Sequence, residues 1–210
     1  MLKPGDVIGI LGGGQLARMM ALAAAPLGLK CHIYAPEGDN PAFDVASGHT
    51  IGSYDDADAL ASFARAVSLV TYEFENVPSR TADILSSQRP VLPNPRALDT
   101  TQDRLIEKRF IRSLHLDVPD FEPVDSAADL QTAVGKLGRP SVLKTRRFGY
   151  DGKGQAIIRP DTVLDEAWTL IGKAPAILES FVPFEREVSV VAARNSSGAF
   201  RAFDVAENHH

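Results

Sequence analysis

Short runs of consecutive apolar residues alternate along this chain with stretches whose apolar positions recur at helical spacing. That alternation predicts strands buried on both faces, separated by helices. Val7–Leu11 is the first such run, bounded by Gly5-Asp6 and Gly12. Gly12-Gly13-Gly14 then leads into Gln15–Ala25, where Leu16, Met19, Met20 and Ala23 recur at helical spacing and Pro26 with Gly28 ends the helix. Lys30–Ala35 predicts a second strand and His49–Gly52 a third. A helix starting at Asp55-Asp56 puts Ala57, Leu60, Ala61 and Ala64 on one face. Ser68–Glu73 predicts a fourth strand and Arg80–Ser87 another helix. The prolines around Pro93 and the change of composition beyond them mark a domain boundary, giving units 1–97 and 98–210.

The second unit opens on an amphipathic pattern, Asp99–Ile111, that predicts one helix with Leu105, Phe110, Ile111 and Leu114 facing inward. Arg104 and Lys108 lie four apart on another face, where two cations disfavour each other unless an anion is near. Val118–Phe121 leads to a helix over Ala127–Leu137 that stops at Gly138. Ser141–Lys144 and Gln155–Arg159 read as two strands joined by a loop longer than a tight hairpin needs. Asp161–Ile171 predicts a helix in which Trp168 is a core residue, and Ala176–Val182 a strand. Glu185–Ala193, the turn Asn195–Gly198 and Ala199–Val205 predict a hairpin. Two long strands cannot bury an apolar face by themselves, so the second unit reads as the first part of a larger domain.

Composition narrows the classes. At 210 residues, 44% hydrophobic and 23% charged, the chain has the make-up of a globular protein. A net charge of -5 leaves no basic excess for sequence-independent nucleic-acid binding. Met19–Leu29, the longest apolar run, is interrupted by Pro26 and Gly28 and is too short to span a bilayer. No signal peptide is evident, and the lone Cys31 falls in a predicted strand, as expected of a small buried hydrophobe in a cytoplasmic protein.

Three places can carry chemistry. Gly12, Gly14 and Ala17 form G-x-G-x-x-A between a strand and a helix, a pattern that serves either dinucleotide binding or close helix–sheet packing. Its acidic partner would be Glu37 or Asp39, neither of which sits cleanly at a strand end. Glu73 and Glu75 fall at the carboxyl end of the fourth strand, where doubly wound sheets gather ligands; a solvated strand end is the alternative. The loop after Lys144 holds Arg146, Arg147, Gly149, Gly152, Lys153 and Gly154, a composition suited to a phosphate-binding nest or to a solvated hairpin tip. At the end of the 176–182 strand, Glu179 could accept from an amine or a ribose hydroxyl, with Phe181 and Val182 as apolar cover.

Gly12–Met19, Thr71–Pro78, Gly149–Gln155 and Glu187-Val188-Ser189, in that order, make the chain resemble the N5-carboxyaminoimidazole ribonucleotide synthase family of ATP-grasp ligases. Formate-dependent glycinamide ribonucleotide transformylase shares the opening glycines and a G-K-G-Q loop. It typically lacks the Tyr150-Asp151 pair and the Glu73–Asn76 run, so it ranks second.

The resemblance implies an α/β fold, with a Rossmann-like pre-ATP-grasp domain on a parallel sheet followed by an incomplete α+β ATP-grasp domain. It implies ATP with Mg2+ as cofactors, aminoimidazole ribonucleotide and bicarbonate as substrates, and a homodimer in the full-length protein. ATP would be held by Arg104, Lys144, the loop Gly149, Tyr150, Asp151, Gly152, Lys153, Gly154 and Gln155, the segment Glu179, Ser180, Phe181 and Val182, and by Glu187 and His210. Tyr150, Asp151 and Lys153 would act at the reacting groups; Gly14, Gln15, Leu16, Glu73, Glu75 and Asn76 would face the substrate. The family's magnesium-binding Glu and Asn find no match in this sequence. Two readings of other classes stand beside this one: a dinucleotide-dependent oxidoreductase and a non-catalytic nucleotide-binding module.

Overall fold

The computed structural model describes residues 2–149 and 152–209. Its first sheet contains β1 (Val7–Leu11), β2 (Lys30–Ala35), β3 (Gly48–Ile51) and β4 (Leu69–Tyr72) in the order β3-β2-β1-β4, every pair parallel. Parallel strands need crossovers, and these put helices on both faces. On one face α1 (Gln15–Ala24) packs Ala17, Ala21 and Ala24 against Ile10, Cys31 and Ile33. On the other, α2 (Ala57–Ala66), α3 (Ser79–Ser86) and α4 (Pro95–Thr101) bring Leu60, Phe63, Leu85 and Leu98 onto Leu11, Tyr34 and Val70. The small side of α1 is therefore the buried one. Leu16 and Met19, whose spacing predicted the helix, are 56% and 63% exposed, because alanines let the helix axis approach the sheet more closely.

Where one helix was expected over 99–111 there are two, α4 and α5 (Arg104–Ser113). Asp103 is the reason. Its backbone is extended (φ −124, ψ 113), and its carboxylate accepts from the N–H groups of Leu105 and Ile106, starting a new helix. Leu105 is buried as expected, whereas Phe110 and Leu114 are 41% and 53% exposed.

The second sheet joins β5 (Phe121–Val124), β8 (Ala176–Ser180), β6 (Ser141–Thr145) and β7 (Gln155–Ile158) in the order β5-β8-β6-β7, all antiparallel. β5 was not predicted, since Phe121-Glu122-Pro123-Val124 is short and interrupted by proline; it survives as an edge strand. One face is covered by α6 (Ala127–Leu137) and α7 (Leu164–Leu170), whose Leu130, Ala133 and Trp168 pack on Leu143, Ile158 and Leu178. Strand alternation then turns Lys144 and Glu179 to the opposite face.

The expected C-terminal hairpin forms in two pieces. β9 (Glu187–Ser189) pairs with β12 (Ala206–Asn208), and β10 (Ala192–Arg194) with β11 (Phe200–Ala202), around the Asn195–Gly198 turn. Val188, Val191, Phe200 and Phe203 on it are all more than half exposed. No described helix is long and apolar enough to cross a membrane.

Candidate active-site cleft

β1 and β4 are neighbours with Leu11 opposite Tyr72, so the turn after one strand and the acid after the other meet at the carboxyl edge of the sheet. Glu73 reaches onto the N-terminus of α1. Its Oε1 accepts from the Gly14 N–H at 2.6 Å and its Oε2 from the Ala17 N–H at 3.0 Å. Gly12 has φ +98, and a Cβ there would lie 2.5 Å from Glu73 Cγ; one on Gly14 would lie 2.8 Å from Glu73 Oε1. The glycines of G-x-G-x-x-A thus make room for the chain's own carboxylate at a helix N-terminus, a place suited to any anion. Gln15 and Leu16 are exposed beside it, as are Glu75 and Asn76.

The second half of the cleft is built on the start of α5. Arg104 spans the root of the long loop: its N–H donates to the Arg146 carbonyl (3.0 Å), Nε to the Thr145 carbonyl and Nη2 to the Gly149 carbonyl (both 3.2 Å). Thr145 N–H in turn donates to the Gly154 carbonyl at 2.7 Å, closing the loop. Gly154 has φ +70, and a Cβ there would meet Thr145 Oγ1 at 2.5 Å, so only glycine fits this closure. Gly152 lies within the loop, and Gln155 is exposed at the start of β7. Lys153 is exposed in the same loop and has interactions of its own. Tyr150, Asp151 and His210 lie outside the described residues.

One turn along α5, Lys108 Nζ lies 3.3 Å from Glu179 Oε1, while Lys144 Nζ lies 2.9 Å from Glu179 Oε2. Glu179 is only 4% exposed. The anion beside this face of α5 is the Glu179 carboxylate, which takes Lys108; Arg104 is held by the neutral carbonyls of the loop root. Ser180 ends β8 with its N–H on the Asp120 carbonyl, and Phe181 and Val182 follow, each 44% exposed. Glu187, on the hairpin strand β9, accepts from Asn208 Nδ2 at 3.0 Å.

Two adjoining cavities separate the sheets. A mostly apolar one of ≈ 140 Å³ is lined by Asn76, Pro78, Gln102, Arg147 and Phe148. The other, ≈ 150 Å³ and polar, has Glu75, Arg104, Glu107 and Gly149 among its walls. Burial pushes the Glu107 carboxyl above the usual carboxylate range, against the pull of Arg104 and Lys108.

Arg146 and Arg147, read from the sequence as cations of a phosphate-binding nest or a solvated hairpin tip, are both engaged by other side chains. Arg146 chelates Asp103, with Nη2 2.7 Å from Oδ2 and Nε 3.0 Å from each oxygen; Arg147 Nη2 donates to Gln102 Oε1 at 3.0 Å. Burial works to raise the Asp103 pKa, but Arg146 and the two helix N–H groups outweigh it and hold the carboxyl below its ordinary value. Gln102, Asp103, Glu107 and Lys108 were not chosen from sequence as site residues. An aspartate before a new helical stretch was the available signal, masked by the preceding threonines that continue the helical spacing. Among the described residues no group of three or more His, Cys, Asp and Glu is placed to hold a metal ion, so no step is assigned to magnesium.

A parallel α/β/α unit, a glycine-loop hairpin and a polar cleft between two sheets make up an ATP-grasp architecture. Residues 6–102 match the ribonucleotide synthetase preATP-grasp domain and residues 109–210 the ATP-grasp domain. The N5-carboxyaminoimidazole ribonucleotide synthase of Brucella melitensis biotype 1 is 49% identical over the whole chain, which covers 58% of that protein. A crystal structure of an ADP complex of N5-carboxyaminoimidazole ribonucleotide synthetase superposes with a TM-score of 0.95 at 43% identity, covering 100% of this chain and 56% of that one. The Staphylococcus aureus enzyme complexed with ADP gives 0.94 at 35% identity, again over 100% and 56%. The chain belongs to the N5-carboxyaminoimidazole ribonucleotide synthase family and spans a little over half the length of the relatives it matches.

Proposed function

We propose that the protein is an ATP-dependent ligase that carboxylates 5-aminoimidazole ribonucleotide. A bicarbonate oxygen attacks the γ-phosphorus of ATP and ADP departs, leaving carboxyphosphate. The exocyclic amine then attacks the carboxyl carbon, phosphate leaves, and a proton is lost from nitrogen, giving N5-carboxyaminoimidazole ribonucleotide. The reading extends to a cytoplasmic homodimer.

One observation carries the reading: Arg104 and Lys108 on a single helix face reach, respectively, the root of the glycine loop and the Lys144–Glu179 pair. Phosphoryl transfer asks little covalent chemistry of a protein; it asks for fixed positive charge and position. Arg104 and Lys144 would meet the nucleotide's phosphates or adenine, and the loop Gly149–Gln155 would cover the triphosphate. Glu179–Val182 would border the adenine through backbone groups, since the Glu179 carboxylate is already shared by two lysines. Glu187 and His210 would complete the nucleotide site. Tyr150, Asp151 and Lys153 would approach the amine, with Gly14–Leu16, Glu73, Glu75 and Asn76 on the ribonucleotide side.

The oxidoreductase reading loses its main support, because the helix N-terminus that a dinucleotide pyrophosphate would occupy is taken by Glu73. Thermal-shift titration with Mg-ATP and with NAD tests the class: ATP is expected to stabilise and NAD to do nothing, and the reverse rejects the proposal. ADP release that requires both bicarbonate and aminoimidazole ribonucleotide tests the reaction. Release that ignores either substrate rejects the chemistry while keeping the nucleotide site.

A further inference from the structure

Gln102 sits between α4 and α5 and is 8% exposed, with every hydrogen-bonding group of its carboxamide used. Nε2 donates to the Glu75 carbonyl at 2.6 Å and also to the Val77 carbonyl, both in the segment after β4. Oε1 accepts from Arg147 Nη2, at the root of the glycine loop. One amide therefore ties two segments from different sheets, 25 and 45 residues away in sequence. Its neighbours fix the same root from the other side, Asp103 through Arg146 and Arg104 through the carbonyls of Thr145 and Gly149.

We propose that Gln102 is a positioning residue that couples the segment 73–78 to the glycine loop, so that ordering either one by a ligand orders the other. The inference takes from the proposed function only which loop meets which ligand. Its physical basis is polarity. A carboxamide presents donors to two carbonyls and an acceptor to a guanidinium, and no other side chain of this size does both. A buried group of this kind gives the two segments little freedom to shift independently, because separating them strands a carbonyl or a guanidinium donor.

Two substitutions divide the amide. Gln102→Glu keeps the acceptor for Arg147 and turns the donor into a second acceptor facing the carbonyls of Glu75 and Val77. Gln102→Met keeps the length and removes both halves. Without ligand, hydrogen exchange of peptides covering 73–78 is expected to quicken in both variants, by roughly three- to tenfold for the loss of a hydrogen bond. Peptides covering 145–149 are expected to quicken only in Gln102→Met, with exchange in α6 and α7 unchanged in both. Acceleration of one segment alone in Gln102→Met overturns the bridge, and general acceleration reduces Gln102 to a fold staple.

With ligand, Mg-ADP is expected to slow exchange at 73–78, and aminoimidazole ribonucleotide at 145–149, in the wild type. Gln102→Glu should keep each ligand's protection of its own segment and lose the protection across. Cross-protection that persists in Gln102→Glu, or that is missing from a wild type whose own segments are protected, overturns the coupling. Should neither ligand protect any segment of the wild type, the proposed function fails, and the ligand-free comparison still decides the bridge.

Discussion

Glu73 places its two carboxylate oxygens 2.6 Å from the Gly14 N–H and 3.0 Å from the Ala17 N–H, so α1 begins on an anion supplied by the neighbouring strand. A helix N-terminus that carries its own counter-charge is stabilised by the capping bonds and by the macrodipole. Glu73→Ala is expected to lose about 1–2 kcal/mol, the scale of a lost cap. The same change leaves two N–H groups and three glycines facing an opening, a site for an exogenous anion. Sulfate should then raise the melting temperature of Glu73→Ala by more than it raises that of the wild type, where exclusion from the surface acts alone. Equal responses in a differential scanning experiment would show that the carboxylate does not fill an anion site.

Glu179 is held by two lysines from different elements, which makes its environment redundant. Lys108→Met or Lys144→Met alone leaves the buried carboxylate one partner, at an expected cost of about 1 kcal/mol. The double substitution strands it, at about 3–5 kcal/mol. Urea unfolding of the four proteins gives the coupling directly, and additivity within about 0.5 kcal/mol would refute the shared pair. If Lys144 also serves nucleotide, Lys144→Met should weaken Mg-ADP binding well beyond its effect on stability, whereas Lys108→Met should not.

Most of the first unit could be read from the chain. Val7–Leu11 is a continuous apolar run, and Ile33-Tyr34-Ala35 closes the second strand as another, because both faces of their sheet are covered; the glycine turn and Glu73 stand where strand ends must fall. The buried face of α1 is not marked by its large residues, because size and burial part company there: alanines pack inward and Leu16 and Met19 look out. The clamp at 102–104 was illegible for a different reason. Asp103 and Gln102 acquire their roles from Arg146 and Arg147, more than 40 residues on, and periodicity carries no information about such partners. Local pattern favoured one helix through this region; the Arg146 pairing and the Asp103 cap favour two.

The Asp103–Arg146 pair also predicts a pH dependence. Asp103 ionises more readily in the folded protein than in the unfolded chain, so its contribution is complete above the ordinary carboxylate pKa of about 3.9 and disappears as pH falls through its lowered native value. Arg146, raised by the same contact, stays charged throughout that range. Asp103→Asn removes the charge and leaves a largely buried guanidinium without its chelating partner, for an expected loss of about 3 kcal/mol at neutral pH. The difference between the two proteins should narrow steadily in unfolding measurements taken below pH 4. A gap that stays constant down to strongly acidic pH would assign the loss to packing and not to the ion pair.

Phe148 occupies the left-handed region at φ +62 while 69% exposed, between the two cavities it lines. A bulky residue there costs about 1–2 kcal/mol against a residue without Cβ, and so little burial cannot offset it locally. Phe148→Gly should relieve that strain, less the greater freedom glycine gives the unfolded chain, for a net gain of about 0.5 kcal/mol, or a rise of roughly 1–2 °C in melting temperature. Phe148→Ala keeps the Cβ and the strain and should not share the gain, which separates backbone relief from the loss of an exposed apolar surface. A ring kept in a strained conformation beside a cleft is expected to act on what enters it. Phe148→Gly should therefore bind aminoimidazole ribonucleotide several-fold more weakly, measured by calorimetry, even as it melts higher. Unchanged affinity with a higher melting temperature would leave Phe148 as strain without a task.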